Sequence, residues 1–323
     1  MSDYALSVVI PVYNGARTIG RVVEALASLP IANQMEVVLT YDGSPDDSLA
    51  VCLALAEEGK LPITVVEHAR NYGEHNAVMS GLRHARGAYI VTMDDDLQNP
   101  PEEVQRLFEH ARDGGYDVVY SYYETKEHES WRNLGSRLTN WVAGVLMDKP
   151  KGLYLSSFRC MSAFVAREIT RNTGPFPYVD GLILQVTQRI GTLKVRHLPR
   201  AEGQSNYTLA RLFRLFMSMA LNFSAIPLRA ATLLGLAMGA VGFLALIIVL
   251  IEVLFGTPPT GWASTIAILL VVAGVQLLML GVIGEYLGRL FLTINQRPQS
   301  TVRHVVRGRL ARDDRTLRET DAV

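Results

Sequence analysis

Residues 91–104 read VTMDDDLQNPPEEV, and this stretch decides how the N-terminal part of the chain is interpreted. Three aspartates, Asp94, Asp95 and Asp96, directly follow an apolar run that is typical of a buried strand. Crowded carboxylates repel one another, and each loses hydration free energy when it is withdrawn from water. A strand that ends in three of them therefore predicts a compensating cation.

A hard divalent cation with oxygen ligands is the simplest compensation, and it also bridges to phosphate oxygens. In an extended segment Asp94, Asp96 and Gln98 share one face, whereas Asp95 points the other way. We therefore expect Asp94 and Asp96 to hold the metal, with Gln98 as a further candidate ligand. Mg²⁺ usually takes one or two carboxylates plus substrate phosphates, and Mn²⁺ accepts the same ligands. The alternative is a solvated acidic turn before a helix that starts at NPPEE, residues 99–103.

Strand and helix patterns alternate on both sides of this stretch. Short β-rich runs occur at LSVVIPV, MEVVLTY, ITVVEH, AYIVTMD and YDVVYSY, with helical patterns near residues 17–29, 46–58, 75–85 and 101–112. This alternation predicts an α/β fold with a mainly parallel sheet. Ligands of such sheets bind beyond the carboxyl ends of the strands. We therefore expect PVYNG, YDGSPDD and MDDDLQN, which follow three strands, to converge on one site.

Two long apolar runs, at 230–256 and 263–284, dominate the C-terminal part. The length of each run is close to the about 20 residues that a helix needs to cross a bilayer. Arginines flank their outer ends, so the positive-inside rule places both ends in the cytoplasm. The amphipathic segment before them predicts an interfacial helix on the membrane. The alternative for the two apolar runs is a pair of buried helices in a soluble core. The alternative for the amphipathic segment is an ordinary surface helix.

Composition narrows the class of protein. The 323 residues are 49% hydrophobic. Lysine plus arginine equals aspartate plus glutamate, at 31 each, so the net charge gives no argument for a nucleic-acid partner. The two cysteines, Cys52 and Cys160, indicate no disulfide framework and fit a reducing cytoplasm. The N-terminus lacks the pattern of a signal peptide. The polar segment 296–323 is expected to be partly disordered.

Seven motifs occur in order: SVVIPVYN, DGSPDDS, RNYGEHNAVMSGL, MDDDLQNPPEEV, RAEGQSNY, PLR and GEYLGR. With the two apolar runs, they resemble the polyprenyl-phosphate glycosyltransferases of family 2. This is the dolichyl-phosphate-mannose synthase type, which includes bacterial undecaprenyl-phosphate glucosyl- and 4-deoxy-4-formamido-L-arabinose transferases. The resemblance implies a GT-A fold, a Mg²⁺ or Mn²⁺ cofactor, and inverting transfer of a sugar from a nucleotide donor, with UDP expected, to polyprenyl phosphate. Such a reaction feeds cell-envelope glycan or lipid modification.

The resemblance also implies an organisation for the whole chain. A cytoplasmic catalytic domain is expected at 1–207, an interfacial helix at 208–228, two transmembrane helices with a short external loop within 229–290, and a cytoplasmic tail at 291–323. The protein is then a multi-pass protein of the inner membrane. A homo-oligomer is expected, and a tetramer by resemblance.

Individual residues receive roles from the same resemblance. The metal ligands are Asp94, Asp96 and Gln98, and the catalytic residues are Asp94, Asp96, Arg159 and Asp180. The nucleotide sugar is expected to contact Pro11, Tyr13, Asn14, Asp42, Asn71, Asp94 and Asp95. The lipid phosphate is expected to contact Arg132, Arg159, Arg200, Ser205 and Tyr207, with Lys126 as a further cation.

The sequence departs from the family pattern at four positions. Gly15 stands where the family has a glutamate that contacts the nucleoside, Tyr41 replaces one of two aspartates, and Asn206 replaces a phosphate-binding lysine. Ser157 stands where many members have an aspartate proposed as a base. This loss is not expected to abolish catalysis, because a phosphate monoester with a second pKa of about 6 is largely dianionic at neutral pH. Asp180 is an alternative carboxylate, or simply an acid in the first turn of a helix.

Two other functions stay open. One is a glycosyltransferase that acts on another acceptor, such as diacylglycerol or a growing polysaccharide. The other is a catalytically weakened homologue that serves as a membrane scaffold, which the four departures suggest.

Overall fold

The structure is a computed structural model, and it describes residues 3–123, 150, 152–196, 198, 226–254, 261–295 and 297–310. Contacts divide the chain into two units. The first comprises Met1–Tyr207 and Arg297–Val323, and the second comprises Thr208–Gln296.

A mixed eight-stranded sheet forms the centre of the first unit. Its strands are β1 (Tyr4–Val12), β2 (Met35–Tyr41), β3 (Ile63–His68), β4 (Gly87–Thr92), β5 (Val118–Tyr122), β6 (Arg159–Ser162), β7 (Ile190–Lys194) and β8 (Val302–Arg307). Their order across the sheet is β7-β5-β6-β4-β1-β2-β3-β8. The pairs β1–β2, β1–β4, β2–β3 and β5–β7 are parallel, whereas β6 and β8 run antiparallel to their neighbours. The predicted α/β fold with a mainly parallel sheet is confirmed.

Burial explains why the central strands read as unbroken apolar runs. In β1 the side chains of Val8, Val9 and Ile10 are all fully buried, although consecutive residues of a strand face opposite sides of the sheet. A strand that is covered on both faces needs apolar residues at successive positions. The same holds for β2, in which Val37, Val38 and Leu39 are fully buried.

Helices connect these strands. They are α1 (Ile19–Ala27), α2 (Ser48–Glu58), α3 (Glu74–His84), α4 (Glu102–Asp113), α5 (Ala163–Thr170) and α6 (Val179–Val186). In α1 the buried residues are Ile19, Val22, Val23 and Leu26, a spacing that lines one side of a helix. The first four helices lie close to the predicted bounds. After them, α6 ends at Val186, and β7 begins at Ile190.

The polar segment after the second unit returns to the sheet. We expected partial disorder for residues 296–323, but Val302–Arg307 forms β8, which pairs antiparallel with β3. Gln299 is only 6% exposed. Its side-chain oxygen accepts a hydrogen bond from Arg83 at 2.5 Å, and its amide donates to the carbonyl of Gly174 at 2.9 Å. These contacts attach the segment to the first unit.

The second unit contains two long helices, α7 (Ile226–Leu254) and α8 (Trp262–Ile294), which contact each other. Within the described residues, Val271–Ile294 is a stretch of 24 residues with a mean hydropathy of 1.7, long and apolar enough to cross a membrane. A shorter apolar stretch, Ala231–Ala245, lies in α7.

Replacing Gln299 with alanine is expected to destabilise the first unit by about 1–3 kcal/mol, because its hydrogen-bonding partners lose a buried polar side chain. The measurement is thermal unfolding of the full chain in detergent. Gln188→Ala, which removes an exposed glutamine of the same unit, is the matched control and should melt with the wild type. Equal melting of the two variants would contradict the attachment.

Candidate active site

The candidate site lies at the carboxyl ends of β1, β2 and β4, where β1 lies between the other two. Backbone N–H groups of the loop after β1 donate to side chains of the loop after β2. Asn14 N donates to Ser44 Oγ at 2.8 Å, and Gly15 N donates to Ser48 Oγ at 3.0 Å. The loop after β4 reaches the same place, because Asp95 packs against Gly15. The three segments therefore meet.

The turn after β2 is held by one acidic side chain. Asp46 Oδ1 accepts hydrogen bonds from the hydroxyls of Ser44 and Ser48, both at 2.5 Å. Burial opposes its ionisation, but these hydrogen bonds outweigh burial and lower the pKa of Asp46. Across the turn, Asn14 adopts a left-handed φ of 56°, which asparagine tolerates better than most residues. The side chain of Tyr13 is 48% exposed beside it.

The acidic triplet leaves the sheet through a bend. We predicted an extended segment over residues 94–98, and this is wrong, because the backbone bends at 95–97 and Leu97 has a φ of 62°. The side chain of Asp96 supplies the physical reason. Its Oδ1 accepts the N–H of Gln98 at 3.1 Å, a local turn that competes with strand geometry.

Asp94 is held on the side of the neighbouring antiparallel strand. The hydroxyl of Ser157 donates to Asp94 Oδ2 at 2.8 Å. Burial and the negative charge of Glu74 raise the pKa of Asp94 to about 6, with a smaller contribution from Asp96. The Ser157 hydrogen bond and the charge of Arg159 act in the opposite direction. Ser157 therefore stabilises the carboxylate of Asp94 with a hydrogen bond. In the family pattern, residue 157 is itself an aspartate.

Asp95 faces the loop after β1. Its carboxylate accepts the N–H of Tyr13, but its Oδ2 is buried without a hydrogen-bond partner among the described residues. Burial raises the pKa of Asp95 to about 7, and the charges of Asp94 and Asp96 add to this. Asp95 and Asp94 therefore have different hydrogen-bond partners, the N–H of Tyr13 for Asp95 and the hydroxyl of Ser157 for Asp94.

The chemistry of this donor set fits a divalent cation that shares its coordination with a ligand. No group of three or more His, Cys, Asp or Glu side chains in the described part of the chain is arranged as a metal site. Mg²⁺ does not need such a cage, since it is usually held by one or two carboxylates together with phosphate oxygens. Burial is the larger cause of the raised pKa values of Asp94 and Asp95, and neighbouring carboxylates add to it. A cation would relieve the part that comes from the neighbouring carboxylates.

Asp42 is buried below the end of β2 and organises the loop after β3. Its Oδ1 accepts the N–H of Tyr72 at 2.9 Å, and its Oδ2 accepts the N–H of Gly73 at 2.8 Å. His68 lies between two partners, with Nδ1 2.8 Å from Asp42 Oδ1 and Nε2 2.8 Å from Ser80 Oγ. Asp42 was predicted to contact the nucleotide, and the structure shows its carboxylate engaged with the protein.

Two further contacts fix this loop. Gly43 has a φ of 61°, and a Cβ there would lie 2.5 Å from the backbone N of Asn71, so only glycine fits. Asn71 itself is exposed beside it. The hydrogen-bonded chain from Asp42 also continues beyond Ser80, whose hydroxyl lies 2.8 Å from that of Ser300. The segment before β8 thus reaches the loops of the site.

Arg159 and Asp180 form an ion pair in the interior, with side chains 2% and 9% exposed. Tyr120 donates its hydroxyl hydrogen to Asp180 Oδ1 at 3.0 Å, and Arg159 also donates to the carbonyl of Ser156 at 3.3 Å. Burial opposes the charge of Arg159, but Asp180 outweighs it and raises the pKa of Arg159. Two of the four residues predicted as catalytic are therefore paired with each other.

Several predicted residues lie outside the described part of the chain and stay predictions: Lys126, Arg132, Arg200, Ser205, Asn206 and Tyr207. Pro11 lies in β1 and is half-buried at its pairing with Thr40 of β2. The sequence reasoning missed residues that hold the loops: Ser44, Asp46, Ser48, His68, Glu74, Ser80 and Ser300. The Ser-x-Asp-x-Ser spacing after β2 was a usable signal for three of them, whereas His68 carries none.

Comparison with known proteins identifies the class. A crystal structure of glucosyl-3-phosphoglycerate synthase from Mycobacterium tuberculosis, in complex with Mn²⁺, UDP and glucosyl-3-phosphoglycerate, aligns with a TM-score of 0.50. It is 20% identical, and the alignment covers 69% of this chain and 80% of that one. This likeness shows the fold, which is the predicted GT-A fold.

Sequence comparison gives the family. Glycosyl transferase family 2 matches residues 7–170, and the GtrB C-terminal hairpin matches residues 226–290. The undecaprenyl-phosphate 4-deoxy-4-formamido-L-arabinose transferase of Pseudomonas aeruginosa is 34% identical over 94% of this chain and 90% of its own. That of Edwardsiella ictaluri is 31% identical over 95% and 97%. The chain belongs to glycosyl transferase family 2, and the predicted resemblance is confirmed.

Replacing His68 with leucine is expected to destabilise the protein by about 1–3 kcal/mol, because the buried Asp42 carboxylate loses a hydrogen-bond donor. His68→Gln, which keeps an N–H donor, should recover part of the loss. In an Asp42→Asn background, His68→Leu should cost less, because contacting residues are energetically coupled. Thermal unfolding of wild type, His68→Leu, Asp42→Asn and the double variant measures this coupling. Additive losses of stability in the double variant would argue against it.

Replacing Asp180 with alanine is expected to cost about 3–5 kcal/mol, because the buried Arg159 charge is left without its partner. The double variant Arg159→Met/Asp180→Leu removes both charges and should be more stable than Asp180→Ala. Asp113→Ala, which removes an exposed aspartate, is the control and should stay within about 0.5 kcal/mol of wild type. A double variant that is less stable than Asp180→Ala would refute this account.

Proposed function

We propose that this glycosyltransferase moves a sugar from a nucleotide donor, with UDP as the expected nucleotide, to polyprenyl phosphate. One observation carries the proposal. The acidic triplet lies where the loops after β1, β2 and β4 meet, in a chain that matches the named undecaprenyl-phosphate transferases over 94% of its length, hairpin region included. Crowded carboxylates beyond the strand ends suit a cation and a diphosphate rather than a neutral ligand.

The donor is proposed to lie over the strand ends, beside the exposed Tyr13 and Asn14. Asp94 and Asp96 would hold Mg²⁺ or Mn²⁺, with Gln98 as a further ligand. When bound, such a cation neutralises negative charge on the diphosphate that departs from the sugar. The synthase with a similar fold was crystallised with Mn²⁺ and UDP, which is in line with this choice. Asp42 serves this site by holding the loop that carries Asn71.

The chemistry requires little proton transfer. A phosphate oxygen of the acceptor attacks the anomeric carbon as the bond from that carbon to the diphosphate oxygen breaks, which inverts the configuration. A general base contributes about 10²–10⁴-fold where a proton must be removed, and a phosphate dianion has none to lose. Ser157 in place of a carboxylate is compatible with this acceptor. Asp180 is proposed to act through Arg159, with which it is paired.

The acceptor is proposed to enter from the membrane. Arg159 contributes positive charge at the site, and Arg132, Arg200, Ser205 and Tyr207 are proposed to contact the lipid phosphate, since an arginine binds phosphate oxygens with a planar fork. Segment 208–228 would lie on the membrane, and two helices within 229–290 would span it. The apolar stretch Val271–Ile294 supports one span. The catalytic domain would face the cytoplasm at the inner membrane, in a homo-oligomer, with a tetramer expected.

A second candidate function is transfer to a hydroxyl acceptor such as diacylglycerol or a polysaccharide. That reaction must remove a proton, and Ser157 cannot accept one as a carboxylate would. The described geometry therefore favours the phosphate acceptor. A catalytically weakened scaffold is the third reading, and the same experiment distinguishes it.

The experiment incubates the purified full chain with a panel of labelled UDP-sugars, undecaprenyl phosphate and Mn²⁺. One donor is expected to give lipid-linked label, and Asp96→Ala or removal of the metal is expected to lower the rate by about 100-fold or more. Asp113→Ala should keep the wild-type rate.

Absence of lipid-linked product across the panel would refute the proposal. Label on diacylglycerol instead would favour the second function. Tight binding of UDP without turnover would favour the scaffold.

A further inference from the structure

The segment that follows α8 in the chain contacts the loop between β3 and α3. This loop comprises residues 69–73, and two of its residues bind Thr301. The backbone N–H of Ala69 donates to the carbonyl of Thr301 at 2.9 Å. The phenol oxygen of Tyr72 accepts hydrogen bonds from the side chain and the backbone N–H of Thr301, and these outweigh burial and lower the pKa of Tyr72. Loop 69–73 is thus attached at two points to one residue of the segment before β8.

A second connection runs through buried side chains. Ser300 Oγ lies 2.8 Å from Ser80 Oγ, which in turn lies 2.8 Å from Nε2 of His68. Nδ1 of His68 lies 2.8 Å from Asp42 Oδ1, and a carboxylate only accepts hydrogen bonds, so Nδ1 is the donor. In a neutral imidazole Nε2 is then the acceptor, so Ser80 donates to it and accepts from Ser300. A chain of donors therefore leads from Ser300 to Asp42.

Asp42 extends this connection to the loop. Its two carboxylate oxygens accept the N–H groups of Tyr72 and Gly73, at 2.9 and 2.8 Å. The loop also packs closely on the turn after β2, because a Cβ at Gly43 would lie 2.5 Å from the backbone N of Asn71. Loop 69–73 is therefore held between the turn after β2 on one side and the segment before β8 on the other.

The segment before β8 is itself fixed at both ends. On one side of residues 300 and 301 lies Gln299, which is buried and bonds to Arg83 and to the carbonyl of Gly174. On the other side β8 pairs antiparallel with β3, beginning with Val302 opposite His68. A hydrogen-bonding group that is already held in place restrains its partner at little further cost in entropy. Residues 300 and 301 can therefore restrain loop 69–73.

Loop 69–73 also determines where α3 begins. Glu74 is the first residue of α3 and directly follows the loop. After burial, the charge of Glu74 is the largest cause of the raised pKa of Asp94. The start of α3 is thus close enough to the acidic triplet to act on it electrostatically, and a shift of the loop would move this charge.

We propose that Ser300 and Thr301 are positioning residues of the donor site, which hold loop 69–73 in the conformation that binds the nucleotide sugar. This inference rests on the proposed function, in which Asn71 of the loop contacts the donor. Neither Ser300 nor Thr301 contacts the donor in this role, and both act through the loop. When a loop occupies its binding conformation for only part of the time, the apparent dissociation constant rises by the inverse of that fraction.

The test measures binding of UDP to the full chain in detergent with Mn²⁺, by titration calorimetry. The double variant Ser300→Ala/Thr301→Val removes both hydroxyls and should raise the dissociation constant of UDP about fivefold or more. The number of UDP sites per chain should stay that of wild type, because a variant that merely unfolds in part loses sites and keeps the affinity of the rest. Turnover at saturating donor should stay within about twofold, because the loop conformation limits affinity rather than the chemical step.

Two further variants serve as controls. Ser300→Thr/Thr301→Ser keeps both hydroxyls and should bind UDP within about twofold of wild type. Val305→Ala truncates an exposed side chain of β8 that lies opposite Val66, far along the strand from the loop, and should also keep the wild-type affinity.

Hydrogen exchange gives a second measurement that needs no ligand. The backbone amides of Tyr72 and Gly73 should exchange faster in Ser300→Ala/Thr301→Val than in wild type, because the loop opens more often. In Val305→Ala they should exchange at the wild-type rate.

Several outcomes overturn the inference. If wild type binds UDP and the variant without hydroxyls binds it equally tightly, or if exchange at Tyr72 and Gly73 is unchanged, the inference fails while the proposed function stands. An equal loss of affinity in Val305→Ala would show a general effect of weakening β8 and would also refute it. If wild type binds no UDP, the proposed donor is wrong and the inference falls with it.

Discussion

Repulsion among carboxylates at the end of β4 is the constraint on which the site depends. A buried parallel strand delivers Asp94 and Asp95 to the sheet edge, where burial raises the pKa values of both. The protein separates them by a bend and holds them with a serine hydroxyl and a backbone N–H. Among the residues that the structure describes, neither Asp94 nor Asp95 is in a salt bridge. A cation bound beside these carboxylates would relieve the repulsion between them.

Acidic side chains outside the triplet hold the surrounding loops. Asp46 with its two serines secures the loop after β2, and Asp42 with His68 secures the loop after β3. Both acids are engaged inside the protein.

Much of the fold could be predicted from the sequence, and the failures have physical causes. Strands β1 to β5 are short apolar runs between helical patterns. The change from one hydrophobic pattern to the other identifies them in the sequence. Strand β8 reads VRHVVR and is a mostly exposed edge strand, so its composition resembles that of a polar tail. Strands β6 and β7 are short. Their pairing partners are distant in sequence, so local periodicity carries little information about them.

The candidate site shows the same division. The convergence of the loops after β1, β2 and β4 followed from the rule for parallel sheets. The extended backbone assumed for them was wrong, because the turn at Asp96 depends on one side-chain hydrogen bond. The role of Gly15 was also hidden. The effect of a glycine at residue 15 can be inferred only when the side chain packed against it is known. That side chain belongs to Asp95, which is 80 positions away in the chain.

The position of β8 has a consequence for biosynthesis. This strand completes one edge of the sheet, yet it follows both long helices in the chain. While the ribosome is still making α7 and α8, strand β3 has an open edge with unpaired backbone groups. An open edge of this kind invites pairing with another chain. The nascent protein therefore passes through a stage of exposure to aggregation that ends only when its last strand emerges.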